Sequence, residues 1–328
     1  MKVLVTGGTG FTGSNLIKKL CSQGVHVKAI VRDKSKMNIF DRNGVEVVEG
    51  DITDPVAVDR AVKGVEKVFH IAAVFRTAAI RENVYSDVHV KGTENLLNSS
   101  LKYNVSRFIH CSTGGVHGHI ENPPASETYR FKPGDIYQIT KLKGELTAVQ
   151  FGNENKLPLT VIRPSPIYGP GDMRLLKLFK MALKKYVLIL GAGNVFYHMV
   201  YIDDLVDAFL LASENEKAIG ETFIIGGEEI LSLNEIVDLI AEGQNLQPVK
   251  IHLPAKPFQL LGSVCECICV PLKIEPPIYR RRVDFFTKSR SFDIRKAKNL
   301  LEYEPKVSLI EGLSKTSAWY KKQGYLRV

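Results

Sequence analysis

Lys2-Val-Leu-Val-Thr6, running on into Gly7-Gly-Thr-Gly10-Phe-Thr-Gly13, decides the fold of this chain. The residues after Lys2 form a short apolar run rich in β-branched side chains, which reads as a buried strand. From about Gly10 to Ser22 the apolar residues Phe11, Leu16, Ile17 and Leu20 fall at helical spacing. Strand, glycine turn and helix, in that order, give a glycine pattern its meaning as a dinucleotide site. Glycine lets the backbone approach a pyrophosphate closely, and a helix N-terminus offers amides and the positive end of a dipole. An ordinary tight turn with incidental glycines is the plainer alternative.

Outward from this turn, strand and helix patterns alternate to about residue 165. Further strand-like runs are Val25–Val31, Val45–Glu49, Lys67–Ile71, Arg107–Ser112 and Leu159–Arg163. Helical stretches lie between them, near 11–22, 55–63, 83–103 and 137–150. That alternation predicts an α/β protein with a Rossmann-type, doubly wound parallel sheet. From about 170 the pattern changes. Arg174–Lys185 reads as a basic amphipathic helix, 187–202 as short strands, and Asp203–Ala212 and Leu233–Ala241 as helices. The predicted division is a dinucleotide-binding domain over 1–168 and a smaller, mainly substrate-binding lobe over 169–328, with some segments returning to the first domain.

At the end of the second predicted strand, the place where a carboxylate would bind the ribose hydroxyls of NAD holds Val31, and Arg32 follows it. A guanidinium suits a 2′-phosphate and can stack on adenine, and Lys34 and Lys36 are near. These residues favour NADP, with NAD as the alternative because Asp33 could also reach a ribose. The plainer reading is a solvated basic loop.

In Asp135-Ile-Tyr-Gln-Ile-Thr-Lys141, Tyr137 and Lys141 stand four residues apart and share one helix face. A neighbouring cation favours the phenolate, and a phenol so tuned can exchange a proton with an alcohol or carbonyl near neutral pH. The spacing is common and carries little alone.

Together these motifs resemble the extended short-chain dehydrogenases/reductases, the superfamily of nucleotide-sugar epimerases and dehydratases, 3β-hydroxysteroid dehydrogenases and dihydroflavonol-type reductases. The resemblance covers nearly the whole chain. Gly7, Gly10 and Gly13 match the family's Gly-x-x-Gly-x-x-Gly, and Asp51-Ile52 matches the pair that contacts adenine. His70-Ile-Ala-Ala73 matches a strand end along the cofactor. Cys111-Ser-Thr-Gly-Gly-Val-His-Gly118 resembles the stretch carrying a catalytic Ser or Thr, and Arg163-Pro-Ser-Pro-Ile-Tyr-Gly-Pro170 the segment lining nicotinamide and substrate. Val200-Tyr-Ile-Asp-Asp204, Phe292-Asp-Ile-Arg-Lys-Ala297 and Leu301-Glu-Tyr-Glu-Pro305 follow in the family's order.

The resemblance implies that Tyr137 is the acid/base residue and that Lys141 holds the nicotinamide ribose and lowers the Tyr137 pKa. Thr113 would hydrogen-bond the reacting oxygen, with Ser112 in that role if the alignment slips by one. Cofactor contacts would come from Gly7, Gly10, Phe11, Thr12, Gly13, Arg32, Asp51, Ile52, Ala72, Ala73 and Pro164, besides Tyr137 and Lys141. Ser165, Pro166, Tyr197 and Arg282 would meet the substrate.

The implied activity is hydride transfer between a nicotinamide and an alcohol or carbonyl. Two other readings stand beside it. One is a nucleotide-sugar 4-epimerase or dehydratase that retains NAD. Pro166 stands where such epimerases usually place an Asn, and Tyr197 where they commonly place a diphosphate-binding Arg, although Arg280-Arg281-Arg282, Lys177 and Lys180 supply positive charge. The other is a non-catalytic dinucleotide sensor, but such proteins usually lose the Tyr or the Lys. His89 replaces an Asn that often orients a loop of the site, and His117 replaces a Tyr. Both are read first as structural histidines.

Composition agrees with this class. The chain has 328 residues, 45% hydrophobic and 24% charged, the composition of an ordinary soluble globule. A net charge of +9 could suggest nucleic acid, but the cations are spread along the chain, so none is expected. Five cysteines without a disulfide framework fit a reducing, cytoplasmic setting. No signal peptide or membrane-spanning run is read. The apolar segment Pro257–Leu272 suggests a lobe helix or subunit contact, or else a lid or a peripheral membrane contact. Its Cys-x-Cys-x-Cys spacing does not converge on one ion, so no metal is expected. A small-molecule substrate and a homodimer complete the expectation.

Overall fold

The computed structural model describes residues 1–33, 44–75, 81–269 and 280–326. Lys34, Lys36 and the end of the 257–272 segment lie outside the described residues, as do the side chains of Arg280, Arg281 and Arg282.

β1 (Lys2–Thr6) enters the glycine turn and α1 (Phe11–Ser22), then β2 (His26–Val31) and β3 (Glu46–Glu49) follow. α2 (Pro55–Val62) starts where Asp54 accepts from the Val56 amide at 2.9 Å and Pro55 takes the first helical position. After β4 (Lys67–His70) come α3 (Glu82–Ser86) and α4 (Gly92–Lys102), joined through a π-helical turn at Asp87–Lys91. The expected single helix over 83–103 is therefore interrupted. β5 (Arg107–Cys111) precedes α5 (Ile136–Asn155), whose first turn is capped by Asp135 accepting from the Gln138 amide at 2.9 Å.

β6 (Leu159–Pro164) and β7 (Ile167–Tyr168) lead to α6 (Leu176–Ala182). The basic helix expected over 174–185 is thus shorter. Asp172 accepts from the Arg174 side chain and the Leu175 amide, which keeps Arg174 outside the helix. β8 (Tyr186–Leu190), β9 (Phe196–His198), β10 (Val200–Tyr201) and α7 (Ile202–Glu214) follow, then β11 (Thr222–Ile225), β12 (Ile230–Ser232), α8 (Leu233–Glu242) and β13 (Val249–Leu253). The last helices are α9 (Ala255–Cys269), α10 (Arg280–Thr287), α11 (Arg295–Leu301) and α12 (Leu309–Lys322).

The central sheet is parallel, seven-stranded and ordered β11-β6-β5-β4-β1-β2-β3. Its order reverses between β1 and β4, and such a switch point opens a crevice at the carboxyl ends of the strands. One face is covered by α1 and α7, with Leu16, Ile17, Leu205 and Phe209 fully buried. The other is covered by α2, α4 and α5, with Val58, Leu96, Leu97 and Ala148 fully buried. β11 and α7, both from beyond residue 169, complete this sheet and its cover. The smaller pairs β7–β10, β8–β13 and β9–β12 lie outside this sheet, and all but β7 come from the C-terminal part of the chain. Leu260, Leu261 and Val264 of α9 are exposed. Among the described residues, no helix is long and apolar enough to cross a membrane.

One buried ion pair ties α5 to β6. The Arg163 guanidinium donates from Nη2 to Glu145 Oε1 at 2.5 Å and from Nη1 to the Glu127 carbonyl at 2.8 Å. The two side chains are 5% and 1% exposed, so neither charge has water to fall back on. Glu145→Gln would leave the guanidinium buried without its counter-charge and should cost about 3–5 kcal/mol, measured by denaturant melts. A loss under about 1 kcal/mol would mean that solvent reaches the pair.

Candidate functional site

A cavity of about 640 Å³ opens at the β1/β4 switch point. Gly7 has φ +71°, and a Cβ there would lie 2.8 Å from the Ala72 backbone, so the turn tolerates only glycine at this point. A Cβ on Gly13 would strike the Gly7 carbonyl oxygen. Gly10 caps α1 without any side chain, which leaves the first amides of that helix to the cavity that Gly10 to Gly13 line.

The opposite wall is set by a hydrogen-bond relay. The Thr6 hydroxyl accepts from the Ile71 and Ala72 amides, each at 3.1 Å, so its own proton goes to His70 Nδ1 at 2.9 Å. His70 Nε2–H then donates to Thr93 at 2.9 Å, and Thr93 donates to the His89 carbonyl at 2.7 Å. His89 Nε2 accepts from the Val74 amide at 3.0 Å, and Nδ1–H donates to Thr140 at 2.8 Å. Both rings must be neutral for this pattern. Burial, then the charge of Lys141, pushes His89 down to about 3 and His70 well below the usual histidine range. A Cβ on Gly144 would strike the His89 carbonyl, so a glycine is what lets α5 come this close to the π turn.

Tyr137 and Lys141 lie on the α5 wall of the cavity. The Tyr137 ring meets the rings of His89 and Phe75 edge-on at 5.5 and 5.7 Å. Lys141 is 3% exposed, and its ammonium donates to the Cys111 carbonyl at 2.5 Å. Burial lowers the Lys141 pKa, while Cys111 and Glu145 oppose that shift. The Cys111 thiol is pushed up to about 11 by burial, which makes it a poor nucleophile. Thr113 accepts from the Gly115 amide at 3.1 Å, leaving its hydroxyl proton to be donated elsewhere. Ser112 and Ser165 also line the cavity, and their buried hydroxyls have no partner among the described residues.

Most of the residues singled out in the sequence converge here. Gly7, Gly10, Phe11, Thr12, Gly13, Arg32, Asp51, Ile52, Ala72, Ala73, Ser112, Thr113, Tyr137, Lys141, Pro164, Ser165 and Pro166 all line this one cavity. Arg32 is largely exposed at the end of β2, with Nε 3.9 Å from Asp51. Asp51 itself accepts from the Thr53 amide and hydroxyl, both at 2.9 Å. Tyr197 is not brought to the cavity surface. It is buried behind it, donates to the Phe285 carbonyl, and carries the Arg290 guanidinium on its ring at 5.6 Å. His117 is structural, its Nδ1–H donating to the Arg130 carbonyl while Nε2 accepts from Arg163, both at 3.2 Å.

The lining residues that the sequence did not mark as site residues include Phe75, Gln138, Arg174 and Arg290. The Arg174 guanidinium lies between the rings of Phe11 and Phe75, 5.5 and 5.6 Å from their centroids. The Asp-x-Arg spacing of Asp172 and Arg174 was the available signal. Arg290 and Phe292 alternate by two, which marks one face of an extended segment. Among the described residues no group of three or more His, Cys, Asp or Glu could hold a metal ion.

The cradle fits a dinucleotide on its own terms: glycines where the backbone closes in, an uncapped helix start, and unpartnered buried hydroxyls along the wall. Comparison with known proteins agrees. The model of the NAD dependent epimerase/dehydratase family matches residues 3–226, and the chain belongs to that family, within the extended short-chain dehydrogenases/reductases. A 3β-hydroxysteroid-dehydrogenase/decarboxylase isoform 2 from Arabidopsis thaliana is 31% identical over 95% of this chain, which spans 61% of that protein's length. A decarboxylating sterol-4-alpha-carboxylate 3-dehydrogenase from Schizosaccharomyces pombe is 28% identical, with 97% of each chain covered. Among solved structures, a UDP-glucuronic acid 4-epimerase from Bacillus cereus in complex with NAD superposes with a TM-score of 0.78 at 27% identity, covering 99% of this chain and all of that one. The family is one of enzymes.

The relay carries a pH consequence. In the folded chain His89 stays neutral down to about 3, whereas the unfolded ring titrates near 6.5. Below that value the unfolded state binds the extra proton, so this contribution to stability is lost as pH falls from 6.5 towards 3. His70 and the buried His110 act in the same direction. Each ring steepens the loss by about 1.4 kcal/mol per pH unit. His89→Gln removes one such ring, so its stability deficit relative to wild type should shrink by about 2 kcal/mol between pH of about 7.5 and 5. Denaturant melts at the two pH values measure this, and an unchanged deficit would mean that folded His89 takes up its proton over the same pH range as the unfolded ring.

Proposed function

We propose that this protein is a nicotinamide-dependent oxidoreductase that interconverts an alcohol and a carbonyl, with Tyr137 as its acid/base residue. The observation that carries this reading is the convergence of Tyr137, Lys141 and Thr113 on one wall of the cavity cradled by Gly7 to Gly13. The bound nicotinamide supplies or accepts the hydride. Tyr137 moves the proton of the reacting oxygen, and Thr113 donates its unused hydroxyl proton to that oxygen, with Ser112 beside it. Lys141 holds the nicotinamide ribose and keeps a positive charge near the phenol. Residues 1–168 hold the cofactor, and the lobe beyond 169 shapes the substrate side.

NADP is the preferred cofactor in this reading. Arg32 supports it, standing at the β2 end with a mostly exposed guanidinium able to meet a 2′-phosphate. A homodimer through α4 and α5 is also proposed, since Leu101, Ile139 and Leu146 are exposed there. A cytoplasmic location fits the free cysteines.

A second reading is a nucleotide-sugar 4-epimerase that retains NAD. The full-length likeness to the NAD-bound Bacillus cereus epimerase favours it, while Pro166 and the buried Tyr197 weigh against it. Mass spectrometry of nucleotide released on denaturation separates the two. Stoichiometric NAD supports the epimerase, and an empty protein that binds added NADPH supports the dehydrogenase.

Tyr137→Phe should lower turnover about 10²–10⁴-fold, the range typical of a lost acid/base group, while NADPH affinity stays within about twofold. Undiminished turnover would remove Tyr137 from the chemistry. Arg32→Ala should weaken NADPH about tenfold and NADH little, because it removes a 2′-phosphate contact. NAD bound about tenfold tighter than NADP by wild type would overturn the cofactor preference.

A further inference from the structure

Four cationic side chains line the cavity: Arg32, Lys141, Arg174 and Arg290. Arg32 faces Asp51 at 3.9 Å, and Arg174 is held by Asp172 at 2.5 Å. Lys141 donates to the Cys111 carbonyl. Arg290 has no carboxylate partner among the described residues. The nearby Asp284 is taken by Lys288 at 2.8 Å. The hydrogen bonds that Arg290 makes all leave from Nη1, to Tyr197 Oη at 3.1 Å and to the Lys288 carbonyl at 3.4 Å. Its Nε and Nη2, the two-donor fork that matches a carboxylate, make no hydrogen bond among the described residues, and Arg290 is one of the cavity's lining residues.

The platform under this guanidinium is rigid. Arg290 N donates to the Phe196 carbonyl at 2.7 Å and its carbonyl accepts from His198 N at 2.9 Å. On the other side of the segment, Ala125 N donates to the Ser291 carbonyl at 3.0 Å, and Asp293 N to the Ala125 carbonyl at 2.8 Å. Tyr197 stacks beneath the guanidinium and spends its own proton on the Phe285 carbonyl, so its oxygen can only accept from Arg290. Two residues on, Phe292 also lines the cavity, and its ring lies so close to Gly114 that a Cβ there would be 2.8 Å from it. This places the Arg290 segment on the Thr113 side of the cavity.

We propose that Arg290 binds a carboxylate carried by the substrate, whose remaining body lies against apolar walls such as Phe75, Ile167 and Phe292. This rests on the oxidoreductase reading above and adds the substrate's charge to it. A preorganised guanidinium without a counter-charge raises affinity for a carboxylate over a neutral isostere of the same shape.

The test is isothermal titration of the NADPH-loaded protein with octanoate, octanamide and UDP as probes. Octanoate should bind at least about tenfold tighter than octanamide, and Arg290→Gln should bring the two within about twofold. Arg290→Lys keeps the charge but not the fork, should retain only part of the preference, and serves where the Gln variant fails to fold. Equal affinities for octanoate and octanamide in wild type, binding of neither, or a preference unchanged in the variants would overturn the assignment. Binding of UDP in place of octanoate would overturn it too, by making the anion a diphosphate. Binding is read without turnover, so a failure of the oxidoreductase reading is a separate result: no hydride transfer with any alcohol or ketone while the Arg290-dependent preference persists.

Discussion

The hydrogen-bond relay from Thr6 through His70, Thr93 and His89 to Thr140 is the constraint on which the rest of the site depends. It joins β1, β4, the π turn and α5, the elements that carry the glycine turn, the Ile71–Phe75 strand end and the Tyr137 wall. Each member has one donor and one acceptor assignment that leaves no atom of the relay idle. Protonating either ring would turn an accepting nitrogen into a donor aimed at an amide or a hydroxyl already committed, inside a low-dielectric region where that is costly. The π turn belongs to the same device, because it bears His89, whose carbonyl and ring both enter the relay.

Charge reinforces the geometry. Lys141 is a buried ammonium, and the neighbouring rings of His70, His89 and His110 are all held neutral, first by burial and then by the Lys141 charge. Lys141 is therefore the one cation in this group, without competing charge on those rings. Glu145, one helical turn beyond Lys141 on α5, is committed to Arg163 and so fixes the helix rather than neutralising the lysine outright. The cavity side of α5 carries Tyr137 and Lys141, and the same helix is anchored to β6 through that ion pair.

The parts legible in the sequence were those written in local spacing. Gly7, Gly10 and Gly13 act within one turn and the start of one helix, and Tyr137 and Lys141 within one turn of another, so spacing alone brings each set together. The parallel sheet followed from the alternation of strand and helix patterns. What spacing could not show depends on contacts between distant segments. His89 acquires its role only when Val74 and Thr140 arrive on either side of it. Arg174 looked like the first residue of a basic helix, but Asp172 and the rings of Phe11 and Phe75 draw it out of that helix. Tyr197 sat at the aligned position for a substrate contact, yet its ring is buried and packs against Arg290.

This asymmetry has a physical origin. The cofactor side of the cavity is built from consecutive residues at the ends of β1, β2, β4 and β5, where backbone geometry is dictated by the sheet and by glycine. The opposite side is assembled from separate segments, 164–175 and the stretch that carries Arg290 and Phe292, and bridges such as Tyr197↔Arg290 and Ala125↔Phe292 hold the later one in place. Substitutions along those segments can change shape and charge at the reacting end without disturbing the glycine turn or the Tyr137–Lys141 pair. A chain built this way can keep one hydride chemistry while its substrate changes. The glycine turn and the Tyr137–Lys141 pair are therefore written in short motifs, whereas the far wall of the cavity is written in the pairing of residues nearly a hundred positions apart, such as Tyr197 and Arg290.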